Sequence, residues 1–439
     1  MSASRPLKDR DIWRIAAPMI LSNVSVPLLG MVDTGVTGHL ESPTYLGAVA
    51  IGGTIFGFLY TGMNFLRMGT TGIAAQCYGA DDNDGLRVSL GQAIIVAILI
   101  ALVLLAVHVP IGHVAMSLFG AEADVEAFAL EYFSIRIWSA PGTLANYVLI
   151  GWFLGLQNAR VPLLIFLTIN ITNIVLDLFF VIGLGMKVDG VALASVIAEY
   201  SGLLVGLGFA ARALRRRAGH WPLARLSNIS AYGAFFSVNA HLFVRTMVLM
   251  FTFAFVTAQG ARLGGLVLAA NAVLMNIQLL TSMALDGFAH AAEALVGKAV
   301  GQQNREALQR SVRLALKWSL FFAVGLCLLY LLLGPLMIRI LTDLADVRET
   351  AIRYLPWLVV SPLVSVWSFL YDGVYVGATR AREMRNIMVF STVGIFLPAW
   401  FLLQGYGNHG LWLAFTLFMA SRGVGMHIGY HRKVLPATN

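Results

Sequence analysis

Two aspartates lie inside long apolar stretches of this 439-residue chain, where an ionised side chain is costly. Asp33 and Asp177 each lie a few residues from the end of a predicted helix, and both helices run in the same direction. Asn173 is one helical turn before Asp177, and Ser195 reaches the same depth from the next predicted helix. Two neighbouring carboxylates in a low dielectric do not readily both stay ionised. The four residues therefore predict a site for a proton or a small cation, or else a polar cluster that only joins helices.

The chain also repeats itself at an offset of 222 residues, which identifies a duplicated unit. The matches are glycines, charges and loop ends: Gly79 with Gly301, Asp124 with Asp346, Tyr132 with Tyr354, Gly151 and Gly155 with Gly373 and Gly377, and Gly185 with Gly407. At this offset Asp33 corresponds to Phe255, and Asp177 corresponds to Ala399. A charge that only one half carries inside a membrane is not expected to be scaffolding, so the asymmetry favours a functional role.

The composition indicates a polytopic membrane protein, since 58% of the residues are hydrophobic and only 12% are charged. Twelve segments are long and apolar enough to cross a hydrocarbon layer of about 30 Å as helices. They are 12–38, 45–78, 86–110, 124–157, 160–183, 189–214, 229–257, 264–298, 308–335, 347–378, 385–405 and 409–430. Most of the 30 Lys and Arg lie at the termini or at the ends of even-numbered segments, which predicts that both termini are cytoplasmic. We therefore expect the positive net charge to set the topology rather than to bind nucleic acid.

The predicted fold is an all-α membrane protein with twelve transmembrane helices in two pseudo-symmetric six-helix lobes. Residues 1–214 form the N-terminal lobe, 215–228 a cytoplasmic linker between the lobes, and 229–439 the C-terminal lobe. Because each lobe has six spans, both lobes enter the membrane from the same side. The two cysteines lack metal-ligand spacing, and no nucleotide-binding or hydrolase motif occurs. The sequence therefore predicts neither an enzyme nor a bound metal or cofactor.

Several segments resemble the multidrug and toxic compound extrusion (MATE) transporters, and most of all their DinF-like, DNA-damage-inducible branch. The segments are PMILSNVSVPLLGMVDT (18–34), LRMGTTG (66–72), Asn173 with Asp177, and DGVYVGATRAREMR (372–385). The resemblance covers essentially the whole chain. It implies two six-helix lobes around a central cavity and the export of organic cations or amphiphiles, driven by H⁺ or Na⁺.

The resemblance also implies roles for individual residues. The matching positions are Asp33, Asn173, Asp177 and Ser195 for the cation site, with Tyr132 and Asn146 as hydrogen-bonding neighbours or substrate contacts. Pro18 and Pro27 match the point at which the first helix is thought to bend when the site is protonated. The Na⁺-coupled branch carries an acidic residue on span 7, where this chain holds Arg245 instead. This departure favours H⁺ as the coupling ion.

Asp372 is a candidate site in the C-terminal lobe, in the opposite leaflet from Asp33. It is predicted either as a cytoplasm-side gate or substrate contact, or as a packing residue paired with a nearby arginine. Intramembrane ionisable residues usually pair with one another. The others whose partners the sequence does not reveal are Arg67, Glu199, Arg245, Asp286 and Glu293.

Together these features predict a secondary-active exporter of hydrophobic cations or amphiphiles that works by alternating access. The expected coupling is antiport, with H⁺ favoured over Na⁺. The alternatives are a lipid-linked precursor flippase of the same superfamily and a non-transporting membrane receptor. We expect a monomer in the bacterial inner membrane, in contact with lipids and with small hydrophobic or cationic substrates, and without nucleic acid.

Overall fold

The structure is a computed structural model that describes residues 7–38 and 42–438. All regular secondary structure in these residues is helical, as the apolar composition predicts, because a helix satisfies its backbone hydrogen bonds within one segment. The α-helices are α1 (Asp9–Thr37), α2 (Pro43–Met63), α3 (Phe65–Gly79), α4 (Asn83–Ala106), α5 (His108–Phe119), α6 (Ala123–Arg136), α7 (Ala140–Gly155), α8 (Arg160–Asp177), α9 (Val188–Arg215), α10 (Leu223–Ser227), α11 (Gly233–Arg262), α12 (Gly265–Gly301), α13 (Arg305–Leu341), α14 (Ala345–Gly377), α15 (Ala381–Val389), α16 (Leu397–Leu403) and α17 (Gly407–Gly429).

Each of the twelve predicted spans coincides with one helix or with consecutive helices, so the all-α membrane fold is confirmed. Nine helical segments in the described residues are long and apolar enough to cross a membrane. The last of them, Ala381–Val434, covers two predicted spans. The predicted spans 12–38 and 124–157 are helical but are not among the nine. The number of spans therefore agrees with the predicted twelve only approximately.

The described chain forms two compact units. The first-half unit comprises residues 21–235, and the second-half unit comprises 236–439 with the described part of 1–20. α1 therefore begins in the second-half unit and continues into the first-half unit. Its first turn is held within the second-half unit, because the Asp9 carboxylate accepts hydrogen bonds from Lys317 Nζ (3.1 Å) and Trp318 Nε1 (2.7 Å) on α13.

The duplication is visible in the backbone. Four non-glycine residues of the described chain have a positive φ angle: Asp81 (54°), Gln157 (58°), Gln303 (52°) and Thr379 (53°). They form two pairs, each separated by the same 222-residue offset. This left-handed conformation is uncommon for residues with a side chain, so its recurrence indicates two equivalent turns in the two halves.

The helix that follows the first of these turns is capped in the same way in both halves. Asp82 Oδ1 accepts a hydrogen bond from the backbone N–H of Gly85 (2.8 Å) and begins α4. Asn304 Oδ1 accepts from the backbone N–H of Ala307 (2.9 Å) and begins α13. Asp and Asn are preferred caps because their short side chains satisfy a backbone donor that the helix cannot.

The two halves also share a close helix crossing. In the first-half unit α7 crosses α3 at Gly151, where an added Cβ would lie closer than 3.0 Å to the carbonyl oxygen of Arg67. In the second-half unit α14 crosses α12 at Gly373, where an added Cβ would meet the carbonyl oxygen of Ala289 in the same way. Both residues of each crossing correspond at the repeat offset. Glycine is required at these positions because backbone, not a flexible side chain, occupies the space.

Candidate functional site

Three of the four predicted ion-site residues lie on α8 and α9. Asp177 is the last residue of α8 and is 0% exposed. Asn173 lies one turn earlier, and its Nδ2 donates a hydrogen bond to Ser195 Oγ on α9 (3.3 Å). The residues after Asp177, Leu178–Gly183, form a π-helical turn. Such turns change the helix register and are frequent at functional sites. The structure thus places the Asn173 amide one turn before the buried Asp177 carboxyl and in contact with the Ser195 hydroxyl of the next helix.

The fourth residue of the predicted site, Asp33, belongs to α1. Its side chain and that of Pro27 lie outside the described residues, so the contact of Asp33 with the α8 and α9 groups stays a prediction. α1 remains helical through both Pro18 and Pro27. A proline inside a helix removes one backbone hydrogen bond, so both positions retain the weakness that a bend would use.

Tyr132 is fully buried on α6, and its hydroxyl accepts a hydrogen bond from the guanidinium of Arg136. The Arg136 guanidinium carbon also lies 5.5 Å from the centre of the Tyr132 ring and 5.2 Å from that of Phe56. This cation–π contact positions a charge beside aromatic faces inside the first-half unit. The predicted role of Tyr132 as a neighbour of the ion site stays a prediction.

Asn146 on α7 contacts a residue to which the sequence assigned no partner. Its Nδ2 donates to Glu199 Oε2 (2.9 Å) and to the Glu199 carbonyl oxygen (2.9 Å) on α9. Glu199 follows Ser195 by four residues, so both lie on one face of α9. The sequence showed Glu199 as an intramembrane ionisable residue but did not show its partner. The spacing from Ser195 was the available signal that Glu199 lies near the ion site, and the family motifs contain no counterpart of this glutamate.

Asp372 on α14 is paired with two arginines of the second-half unit. Its Oδ2 accepts hydrogen bonds from Arg245 on α11 and from Arg422 on α17, the latter at 2.8 Å. All three residues are buried, and Arg422 is only 1% exposed. The structure thus shows the pairing with arginine that was one of the two predictions for Asp372, whereas a role as a gate stays a prediction. Arg422 was not anticipated, because a lone arginine late in the last span is typical of a topology determinant.

The counterparts of the two intramembrane aspartates are apolar packing residues in the second-half unit. The ring of Phe255 meets that of Phe396 edge to face, with centroids 5.5 Å apart, and lies 6.0 Å from that of Phe251. Ala399 packs against the same apolar core. The described residues contain no group of three or more His, Cys, Asp or Glu placed to hold a metal ion.

These features define a multi-pass helical membrane protein whose halves share one fold and differ in their buried charges. A family model described as MatE matches residues 18–179 and 241–401, which lie one repeat apart. The chain belongs to this family of membrane transporters.

Similarity to known proteins extends over almost the whole chain. It is 43% identical to the DNA damage-inducible protein F of Escherichia coli (strain K12), over 95% of this chain and 91% of that protein. It is 25% identical to the probable multidrug resistance protein NorM of Thermotoga maritima, over 92% of this chain and 87% of that protein. The fold matches a crystal structure of MATE in the bent conformation with a TM-score of 0.88 and 20% identity, covering 99% of both chains. The predicted resemblance to MATE transporters and their DinF-like branch is confirmed.

Proposed function

We propose that this chain is a secondary-active antiporter that exports hydrophobic cations or amphiphiles in exchange for protons, by alternating access. Membership of the MatE family and similarity to a probable multidrug resistance protein support the export of such compounds. The proposed proton site consists of Asp33, Asn173, Asp177 and Ser195, with Tyr132 and Asn146 as neighbours.

The observation that carries the proposal is the polar cluster on α8 and α9, which only the first half can form. The buried Asp177 lies on α8 one turn after Asn173, whose amide donates a hydrogen bond to Ser195 Oγ on α9 (3.3 Å). The second half has Phe255 and Ala399 at the positions equivalent to Asp33 and Asp177. A carboxyl group that only one half carries inside the membrane is suited to ion coupling.

Proton binding would drive transport because the proton and a cationic substrate compete for the same negative charge. An ionised first-half site attracts a cationic substrate, and protonation from the outside removes that attraction and favours release. The substrate and the proton need only share or couple their binding groups, so the coupling is a free energy that links two sites. Pro18 and Pro27 supply the points at which α1 would change shape between the two states.

The same oxygen-bearing groups could hold Na⁺, so the ligand inventory alone does not choose the ion. Arg245 on α11 favours proton coupling over Na⁺ coupling, because its guanidinium group already pairs with the Asp372 carboxylate. A resident arginine excludes a second cation from that carboxylate by charge repulsion. We further propose a monomer in the bacterial inner membrane with both termini cytoplasmic.

Transport by purified protein in liposomes tests the proposal. A fluorescent lipophilic cation is loaded, and efflux is measured under a pH gradient without Na⁺ and under a Na⁺ gradient without a pH difference. We expect the pH gradient alone to accelerate efflux by at least about tenfold, within the usual range of coupling between two sites. Asp33→Asn should abolish this acceleration while the protein still inserts. Efflux that requires Na⁺ and ignores the pH gradient would contradict proton coupling.

A further inference from the structure

A third carboxyl group of the first half, that of Glu199, lies on the same face of α9 as Ser195 of the proposed proton site. Ser195 and Glu199 are separated by one helical turn, with a typical distance of about 5–6 Å between such side chains at their Cβ atoms. Asn173 on α8 binds Ser195, and Asn146 on α7 binds Glu199. The two groups are therefore neighbours along one face of α9, with Ser195 buried and Glu199 partly buried.

The partners of Glu199 are neutral, in contrast to those of Asp372. Its carboxylate accepts a hydrogen bond from the amide of Asn146, and the hydroxyl of Thr143 lies next to it on the same helix. The charged or titratable groups that interact with it across helices are Arg136 on α6, Tyr60 on α2 and Tyr147 on α7. Among the described residues no arginine or lysine lies within ion-pair distance of Glu199, and Arg136 interacts with it at longer range.

Two polar atoms next to Glu199 are buried without a hydrogen-bond partner. Asn146 is 2% exposed, and its Oδ1 is buried without a hydrogen-bond partner. The buried Thr143 hydroxyl also lacks one. An ionised carboxylate only accepts hydrogen bonds, whereas a protonated one also donates. Rotation of the Asn146 amide would turn its donor away and present Oδ1 to a protonated Glu199, so one amide can serve both protonation states.

Other hydroxyl groups lie near this position, at the turn between α6 and α7. The Tyr60 hydroxyl lies 2.8 Å from Ser139 Oγ. Thr143 is close to both Tyr60 and Glu199, although its hydroxyl forms no hydrogen bond in the structure. Ionisable residues at such positions in membrane transporters commonly form proton relays.

We propose that Glu199 binds a proton during the transport cycle, with Asn146 as the partner that stabilises both of its protonation states. One carboxylate oxygen of Glu199 gains H⁺ and later releases it as H⁺, so one O–H bond forms and breaks and no other bond changes. This inference rests on the proposed proton coupling and extends it by adding a proton-binding residue outside the Asp33 and Asp177 site.

The test uses Glu199→Gln, Glu199→Asp and a matched control, Glu131→Gln, which neutralises an exposed glutamate of α6. The pH dependence of efflux and the ratio of protons to substrate are measured in liposomes. We expect Glu199→Gln to change the pH profile and to lower the ratio, Glu199→Asp to restore part of both, and Glu131→Gln to match the original protein. A structural role alone would leave the pH profile of Glu199→Gln unchanged, because glutamine can still accept from Asn146, and that result would overturn the inference.

Infrared titration of the purified protein gives a readout that does not depend on transport. We expect a carboxyl C=O band that titrates in the original protein and in Glu131→Gln and is missing in Glu199→Gln. Removing the amide with Asn146→Ala should shift the midpoint of this band. If efflux proves to be Na⁺-driven, the proposed function fails, and the infrared band alone decides whether Glu199 binds a proton. Identical spectra for Glu199→Gln and the original protein would overturn the inference under either coupling ion.

Discussion

At the scale of residues, two acids inside the helical bundle have different partners. Asp372 is buried and accepts hydrogen bonds from two guanidinium groups, so it belongs to a buried ion-pair cluster. Glu199 is partly buried, receives an amide donor and lies near a hydroxyl, and neither of these groups carries a full charge. This difference is the basis on which we infer proton binding for Glu199 and a structural role for Asp372.

The ion pairs of Asp372 should therefore contribute to stability. Asp372→Asn leaves the guanidinium groups of Arg245 and Arg422 buried with a neutral partner, and breaking a buried pair typically costs about 3–5 kcal/mol. We expect a clear loss of thermal stability in detergent, which the double variant Asp372→Asn with Arg422→Met should partly recover. Asp343→Asn is the control, because Asp343 forms an exposed ion pair with Arg348 and its loss should change little. A variant of Asp372 that is fully stable but no longer transports would instead indicate a gate or a substrate contact.

The sequence revealed the positions of these acids more readily than their partners. Asp33, Asp177 and Asp372 were recognisable because a carboxylate in an apolar run is rare. Partners were not, because Arg422 and Asp372 are 50 positions apart and meet only through the packing of α14 against α17. Asn146 was predicted from the family resemblance as a hydrogen-bonding neighbour of the ion site or a substrate contact, and the structure shows it hydrogen-bonded to Glu199.

At the scale of elements, pairs of glycines four residues apart occur in two different packing environments. Gly151 and Gly373 lie where one helix backbone touches another, as close small-residue spacing predicts. Gly53 and Gly57 on α2 have the same spacing, yet no described atom lies within 4 Å of a Cβ added at either. A spacing of four residues shows that two glycines share a face, but it does not show whether another helix packs there.

Alanine substitution should separate these two kinds of glycine. Gly373→Ala places a methyl group against the carbonyl of Ala289, and overpacking of this kind typically costs about 1–3 kcal/mol. Gly151→Ala should cost a similar amount, because its contact is the repeat equivalent. Gly57→Ala should be neutral or slightly stabilising, since alanine is the better helix former. Thermal unfolding in detergent measures all three, and equal stability of Gly373→Ala and Gly57→Ala would contradict the close crossing.

At the scale of the whole molecule, duplication preserved the backbone and not the charges. The left-handed residues, the helix caps and the glycine crossings recur at one offset, so both halves fold by the same local rules. These features were predictable because turn and cap chemistry depends on neighbours in sequence. Contacts between residues far apart in sequence are not predictable in this way: residues 7–20 belong to the second-half unit, where Asp9 on α1 is held by Lys317 and Trp318.

The loss of symmetry leads to a prediction about the second half. Phe255 occupies the position equivalent to Asp33, and it packs edge to face on Phe396. Phe255→Asp removes that aromatic contact and places a carboxylate in the apolar core, at a typical cost of about 3 kcal/mol for insertion at mid-helix. We expect reduced membrane yield and no new ion coupling, because Asp177 has only Ala399 as its equivalent and the duplicated site lacks its second acid.

Phe255→Leu, as the control, keeps an apolar side chain and should retain yield and transport. Yield is measured by quantifying the folded protein, and coupling is measured by efflux under pH and Na⁺ gradients. A gain of gradient-driven transport in Phe255→Asp would mean that the second half already holds the remaining ligands, and the asymmetric assignment of the ion site would then be wrong.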